Sequence, residues 1–232
     1  MPPPAHGLLC LALWMPITSV VAADLPFNPA KPGLLAPASV YSFPVSPKEG
    51  TPHAMVRLHT EATEDFKDSS GRAYAPVEKI SVVHEGTEYY LDYEYENVGI
   101  PGVEIADFDG DGFNDFRMLS NWGTGGSWYC YYRFEDGKFH RWSEPEDLGI
   151  NGLPADGLIS ADNRSGPESI SVFYRFKDGI FQKQRVESIL LKSSIPEMAD
   201  LKGDDFLTVR ITEEWDGDRL LRRTLEPQYG PP

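Results

Sequence analysis

Apolar and polar positions alternate along much of this chain. The stretches "HAMVRLHT" (53–60), "EKISVVHEGTEYYLDYEY" (78–95), "SWYCYYRFEDGKFHRW" (127–142), "SISVFYRFKDGIFQKQRV" (169–186) and "FLTVRITEEWDGDRLLRRTLE" (206–226) are rich in β-branched and aromatic residues. Four of them carry EG, DG, DG and DG at their centres, the residue pairs that tight hairpin turns prefer. The pattern predicts antiparallel hairpins throughout. A 3.6-residue apolar stripe is missing beyond two turns; "RVESILLKSSIPEMADL" (185–201) is the best helical candidate, and Pro196 breaks it.

One hairpin recurs. "YRFEDGKF" at 132–139 returns as "YRFKDGIF" at 174–181, 42 residues later, a spacing within the range of blade-like β units. Each copy is preceded by a loop, "IADFDGDGFND" (105–115) and "ISADNRSGPES" (159–169), and only the first is dense in carboxylates. The expected fold is all-β, with hairpins in a small propeller-like arrangement; a β-sandwich is the alternative.

The N-terminal part reads differently. Residues 7–23 are apolar and uncharged and end in small residues at "VAAD", the pattern of a secretory signal cleaved after Ala23. The region before it has no Lys or Arg, only His6. The stretch is short and Pro-interrupted, which argues against a membrane span. Residues 24–52 hold seven prolines, from Pro26 to Pro52, and are expected to form an extended linker or surface strap. A single all-β domain is then expected over 53–232. The expected location is periplasmic or secreted. Cys130 is the only cysteine after the signal, so no internal disulfide is available; its setting, "WYCYY", suits a buried core position.

Charge narrows the partners. With 21 Lys+Arg against 36 Asp+Glu the formal net charge is −15, which disfavours nucleic acid and anionic membranes and favours divalent cations and basic proteins. Candidate chemistry concentrates in "DFDGDGFND" (107–115). Asp107, Asp109 and Asp111 alternate, Gly112 stands where the chain must turn sharply, Phe113 can offer its carbonyl, and Asp115 closes the shell. This is the ligand rhythm of a calcium loop at positions 1, 3, 5, 7 and 9. Position 12, where an EF-hand has Glu, is Met118, and the flanks are strands, so an EF-hand is excluded. Four carboxylates so close repel one another unless a cation neutralises them; Ca²⁺ is the expected cofactor.

The next segment, "RMLSNWGTGGSWYCYYRF", places Gly123, Gly125 and Gly126 between two β stretches. It is expected to be a flexible loop, either a long hairpin loop with aromatic cross-strand pairs or a protruding recognition loop with Asn121, Trp122, Thr124, Ser127, Trp128 and Tyr129 as candidate partner contacts, because Trp and Tyr give large contact area at low entropic cost. A nucleophile elbow and an H-E-x-x-H motif are both missing, and His53, His59, His84 and His140 lack metal spacing. An enzyme is not expected.

The run "VEIADFDGDGFNDFRMLSNWGTGGSWYCYYRFEDGKF", with "GRAYAPVEKISVV" upstream, resembles a family of secreted bacterial calcium-loop β-propeller-like proteins of FG-GAP type over about residues 53–182. That family includes periplasmic immunity proteins that inhibit lysozyme-like effectors of a type IV bacterial-killing secretion system. The resemblance implies a propeller-like fold and calcium on Asp107, Asp109, Asp111 and Asp115. It also implies a Gly/Ser loop, here "GTGGSWY", that enters the cleft of a lysozyme-like peptidoglycan hydrolase, with Tyr129 as anchor. Thr124 stands where that loop commonly has Ser, and Trp128 adds bulk. The alternative is a calcium-stabilised β-module for adhesion or envelope scaffolding.

Overall fold

The computed structural model describes residues 24–63, 65–93, 101–124, 126–195 and 208–228. The expected signal peptide lies outside the described residues, as does Gly125.

The chain is all-β. A five-stranded first sheet has the order β1-β2-β3-β6-β7, from β1 (Leu25–Pro26), β2 (Val40–Val45), β3 (Ala54–Thr60), β6 (Val77–His84) and β7 (Thr87–Leu91). A two-stranded ribbon of β4 (Phe66–Lys67) and β5 (Ala73–Tyr74) branches from it. The second sheet has the order β11-β10-β9-β8, from β8 (Val103–Ala106), β9 (Asp115–Gly123), β10 (Gly126–Glu135) and β11 (Lys138–Arg141). A single helical turn, α1 (Glu144–Asp147), leads to the third sheet, β12 (Ile159–Ser165), β13 (Glu168–Lys177), β14 (Ile180–Leu191), β15 (Thr208–Asp216) and β16 (Arg219–Gln228), in sequence order. All pairings are antiparallel except the two-residue β1–β2 contact. None of these sheets closes into a barrel, and both expected arrangements are compatible with them.

The repeated octapeptide forms equivalent hairpins in successive sheets. Asp136–Gly137 and Asp178–Gly179 turn with positive φ at both residues, as a two-residue hairpin of this type requires. Phe134 pairs Phe139 in one copy and Phe176 pairs Phe181 in the other.

The second sheet is buried on both faces. Phe116, Met118, Cys130, Tyr132 and Phe134 join Phe43, Val56, Leu58, Ile80 and Val82 of the first sheet in the main core. On the other face Tyr131 packs with Phe108, Ile150 and Ile159, flanked by Tyr129, Trp142, Tyr174 and Phe181. The sheets thus stack one after another through apolar seams.

Three expectations change. The Pro-rich segment is not only a strap: β2 pairs along its length with β3, and Phe27, Leu35, Phe43 and Val45 are buried, so the fold begins well before His53. The helical candidate is strand as far as Leu191, followed by a 3₁₀ turn, Lys192–Ser194; its remainder from Pro196 lies outside the described residues. The glycine loop is a tight hairpin, with β9 running to Gly123 and β10 starting at Gly126.

Candidate functional site

The aspartate loop joins β8 to β9, and its turns come from its own side chains. Asp107 Oδ1 accepts the N–H of Gly110 (2.7 Å) and Oδ2 that of Gly112 (3.0 Å). Asp109 Oδ1 accepts from Asp111 (3.0 Å), and Asp111 Oδ1 from Phe113 (2.8 Å). Gly112 has φ +87°, a conformation open to glycine; space is not the constraint, since an added Cβ would meet nothing within 4 Å. Asn114 fastens the loop to the N-terminal segment, donating from its backbone to Pro47 O and from Nδ2 to Ser46 O (2.8 Å).

Asp107, Asp109 and Asp115 each bring one oxygen within 4.8 Å of the others. Asp111 stays outside this group. The Phe113 ring packs toward Phe134, with Lys48 Nζ 5.3 Å from its centroid. Asp115 is buried as the first residue of β9. Its Oδ2 accepts from Phe108 (3.1 Å) and its Oδ1 from Phe134 (2.9 Å), so it joins the loop to β10. Burial pushes its pKa up to about 8, and the charges of Asp109 and Asp111 push the same way. Burial likewise pushes Asp109 up to about 6, aided by Asp111 and Asp107 and opposed by Arg133. The carboxylates press on one another, and Arg133 beside Asp109 offsets only part of that repulsion. Buried Asp109 Oδ2 has no hydrogen-bond partner. A donor set of hard carboxylate oxygens with one unsatisfied buried oxygen fits a divalent cation.

Beyond the loop, β9 and β10 form the hairpin that carries the candidate contact residues. Ser127 pairs Trp122 and Trp128 pairs Asn121, and a bulge follows between Trp128 and Tyr129. Trp122 is 68% exposed and Trp128 47%. Tyr129 is half-buried, with the Arg117 guanidinium 3.9 Å from its ring centroid. The exposed aromatics of the tip are thus the tryptophans, while Tyr129 packs at its base. Gly126 has φ +147°, and a Cβ there would meet Asn151 Nδ2 at 3.1 Å. Asn151 in turn donates to Asp162 O (2.7 Å) and accepts from the Asp162 N–H (2.8 Å). The tip therefore rests against β12 instead of standing free. A groove of about 500 Å³ opens there, lined by Trp122, Ser127, Tyr129, Asp162, Arg164 and Ser171 among others.

Two arginines escape a reading of the sequence. Arg117 is 1% exposed. It pairs with Glu104 and donates to Tyr131 Oη (2.5 Å), Gly152 O (2.8 Å) and Asn151 O (2.8 Å). It is the clamp between the hairpin base and the loop before β12. Arg133 lies against Asp109 (Nε–Oδ2 2.5 Å). The local sign of Arg117 is a charge between two buried apolar residues, Phe116 and Met118.

No family model and no curated protein matches the chain. In fold it is similar to a solved structure of a Xanthomonas type IV secretion system related protein. The TM-score is 0.53 at 14% identity, over 84% of this chain and 97% of that one. At that identity the likeness is one of fold. Among the described residues no helix is long and apolar enough to cross a membrane.

Proposed function

We propose that this chain is a calcium-stabilised periplasmic or secreted protein that inhibits a lysozyme-like peptidoglycan hydrolase and serves as an immunity protein; it catalyses nothing itself. The observation that carries this reading is the hairpin tip. "NWGTGGSWY" has no charged side chain, yet it presents two exposed tryptophans on a body of net charge −15. An acidic body steers toward a basic enzyme, and an uncharged aromatic tip can approach the carboxylates of a hydrolase cleft without repulsion. The fold shared with a type IV secretion system related protein supports the setting. Calcium on Asp107, Asp109 and Asp115, with Asp111 and the Phe113 carbonyl as further candidates, would neutralise the loop that ends where β9 begins. That holds the hairpin in one geometry and lowers the ordering cost of binding.

The test is hydrolysis of purified peptidoglycan by a panel of lysozyme-like muramidases, titrated with wild type and with Trp122→Ala, Trp128→Ala and Tyr129→Ala. Loss of a central anchor costs on the order of 2 kcal/mol, about thirtyfold in affinity. Trp122 or Trp128 should show it without loss of fold; Tyr129→Ala should also lower the melting temperature. Equal inhibition by all folded variants would remove the mechanism. A wild type that inhibits none of the panel would leave the second reading, a calcium-stabilised adhesion or scaffolding module. That reading draws on the tip being docked on β12, as a stiffened structural hairpin would be.

A further inference from the structure

Arg133 stands where the acidic loop meets the seam between the second and third sheets. Its side chain is 25% exposed. Nε lies 2.5 Å from Asp109 Oδ2, Nη2 4.0 Å from Asp111 Oδ2 and Nη1 3.8 Å from Glu135 Oε1. The same guanidinium carbon is 5.7 Å from the ring centroid of Trp142 and 5.5 Å from that of Phe176. Trp142 is stacked on Phe181 and edge-on to Phe176, so these rings are the seam itself.

The contact with Asp109 is close but misaligned. Arg133 Nε and Asp109 Oδ2 are both buried, and neither has a hydrogen-bond partner. The pair is thus held by charge and not by a directed bond. Asp109 Oδ1 already accepts the Asp111 N–H, which leaves Oδ2 as the oxygen with lone pairs to give. A divalent cation on that oxygen would face a guanidinium at contact distance. Arginine keeps its proton, so the repulsion cannot be relieved by titration, only by movement. Trp142 and Phe176 give it a face to rest on once Asp109 is taken.

We propose that Arg133 is the resident counter-cation of the aspartate loop: it holds Asp109 in the metal-free protein and is displaced from it by calcium, so that occupancy of the loop is registered at the Trp142–Phe176 seam. The inference rests on the calcium reading above. It explains how a loop of converging carboxylates can fold before it meets a metal. It also makes loop and seam reciprocal: what draws Arg133 onto the rings tightens calcium by the same factor.

Calorimetric calcium titration of the chain without its leader tests this, with wild type, Arg133→Met, Arg133→Lys and Asp109→Asn, alongside tryptophan fluorescence. An adjacent arginine shifts a carboxylate by roughly one to three pKa units, so its removal should tighten calcium by about tenfold or more. Arg133→Met should melt earlier than wild type without metal and regain the difference with calcium. Arg133→Lys keeps the charge and should bind calcium close to wild type. Calcium should change the emission of wild type, and Trp142→Phe should remove that change. Asp109→Asn should bind weakly or not at all. If wild type binds calcium and Arg133→Met binds it no more tightly, Arg133 is a structural ion pair and the proposal is overturned while the calcium reading stands. If no variant binds calcium, that reading fails and this proposal falls with it.

Discussion

Replacement of Arg117 by Met gives a demanding test of how the hairpin is held. Methionine keeps an unbranched, flexible stem, but it is shorter than arginine and loses the guanidinium that lies over the Tyr129 ring. What it removes is the donor set: the bonds to Asn151 O and Gly152 O, the bond to Tyr131 Oη and the pairing with Glu104. Tyr131 still donates to Ile150 O (2.9 Å), so its hydroxyl is only half orphaned. The Glu104 side chain is 35% exposed and can turn to water, so its share is discounted. The two carbonyls, part-buried, lose their donors, at about 1–3 kcal/mol each when no water replaces them. With them near the low end and the charged bonds added, the total is about 3–4 kcal/mol, in the range for breaking a buried ion pair. For a chain of this size that lowers the melting temperature by about 6–15 °C. Circular dichroism melts measure it. Arg117→Lys should recover less than half, because one ammonium cannot span a carboxylate and two carbonyls in a fixed fork. A fall of less than about 2 °C for Arg117→Met would refute the clamp, since it would mean less than about 1 kcal/mol in all.

Calcium at about a hundredfold excess over its Kd should stabilise the fold by about 2.7 kcal/mol, or about 5–11 °C, and Asp109→Ala should remove most of that; identical melts with calcium and with chelator would sink the metal assignment. The calcium gain should grow between about pH 6 and pH 8. Folded, metal-free Asp109 and Asp115 hold protons up to about 6 and about 8 that the unfolded chain has released above about 4, so the metal-free protein loses stability as pH rises from about 4 to those values, with Asp115 alone acting above about 6, while calcium has fewer protons to displace; a pH-independent gain would count against this. Gly152→Ala would place its Cβ 2.0 Å from Ser160 Oγ and 3.2 Å from Ser160 Cβ. It should cost about 1–3 kcal/mol by overpacking, partly relieved by Ser160→Ala, and an unchanged melt would show that the loop before β12 yields freely.

What the sequence discloses and what it hides follow from how local each signal is. Positive φ at Glu85–Gly86, Asp136–Gly137 and Asp178–Gly179 is dictated by the turn pair itself, and those hairpins fall where the residues place them. The last slips by one, turning at Gly217–Asp218, with a bulge between Glu214 and Trp215 in the strand before it. Proline density hid β2. Pro44 is tolerated in that strand because β1 pairs only with Tyr41 and Ser42, so the missing N–H falls where β1 no longer lies alongside. The stretch 185–191 mimics a helical stripe, yet β13 and β15 flank it on both sides, and pairing with two neighbours outweighs local preference.

The aspartate loop was legible because its turn-forming bonds, from the backbone of Gly110, Asp111, Gly112 and Phe113 to the carboxylates of Asp107, Asp109 and Asp111, all fall within nine residues. The arginines were not, because every partner that gives them meaning comes from another segment: Glu104 and Asn151 for Arg117, Asp109 and Trp142 for Arg133. The glycines of the hairpin tip were ambiguous for the same reason. Their freedom suggested a flexible loop, but Gly126 is needed where β10 passes close to Asn151 and Asp162, and that surface forms only when the third sheet docks. The chain order then has a physical consequence. Asp115 opens β9 and Arg117 follows two residues later on the same face, so one rigid strand carries both a carboxylate of the candidate metal loop and the clamp at the hairpin base. A hairpin anchored in this way keeps its tryptophans exposed at the tip while their backbone is held from below, the condition under which aromatic contacts bind at the lowest entropic cost.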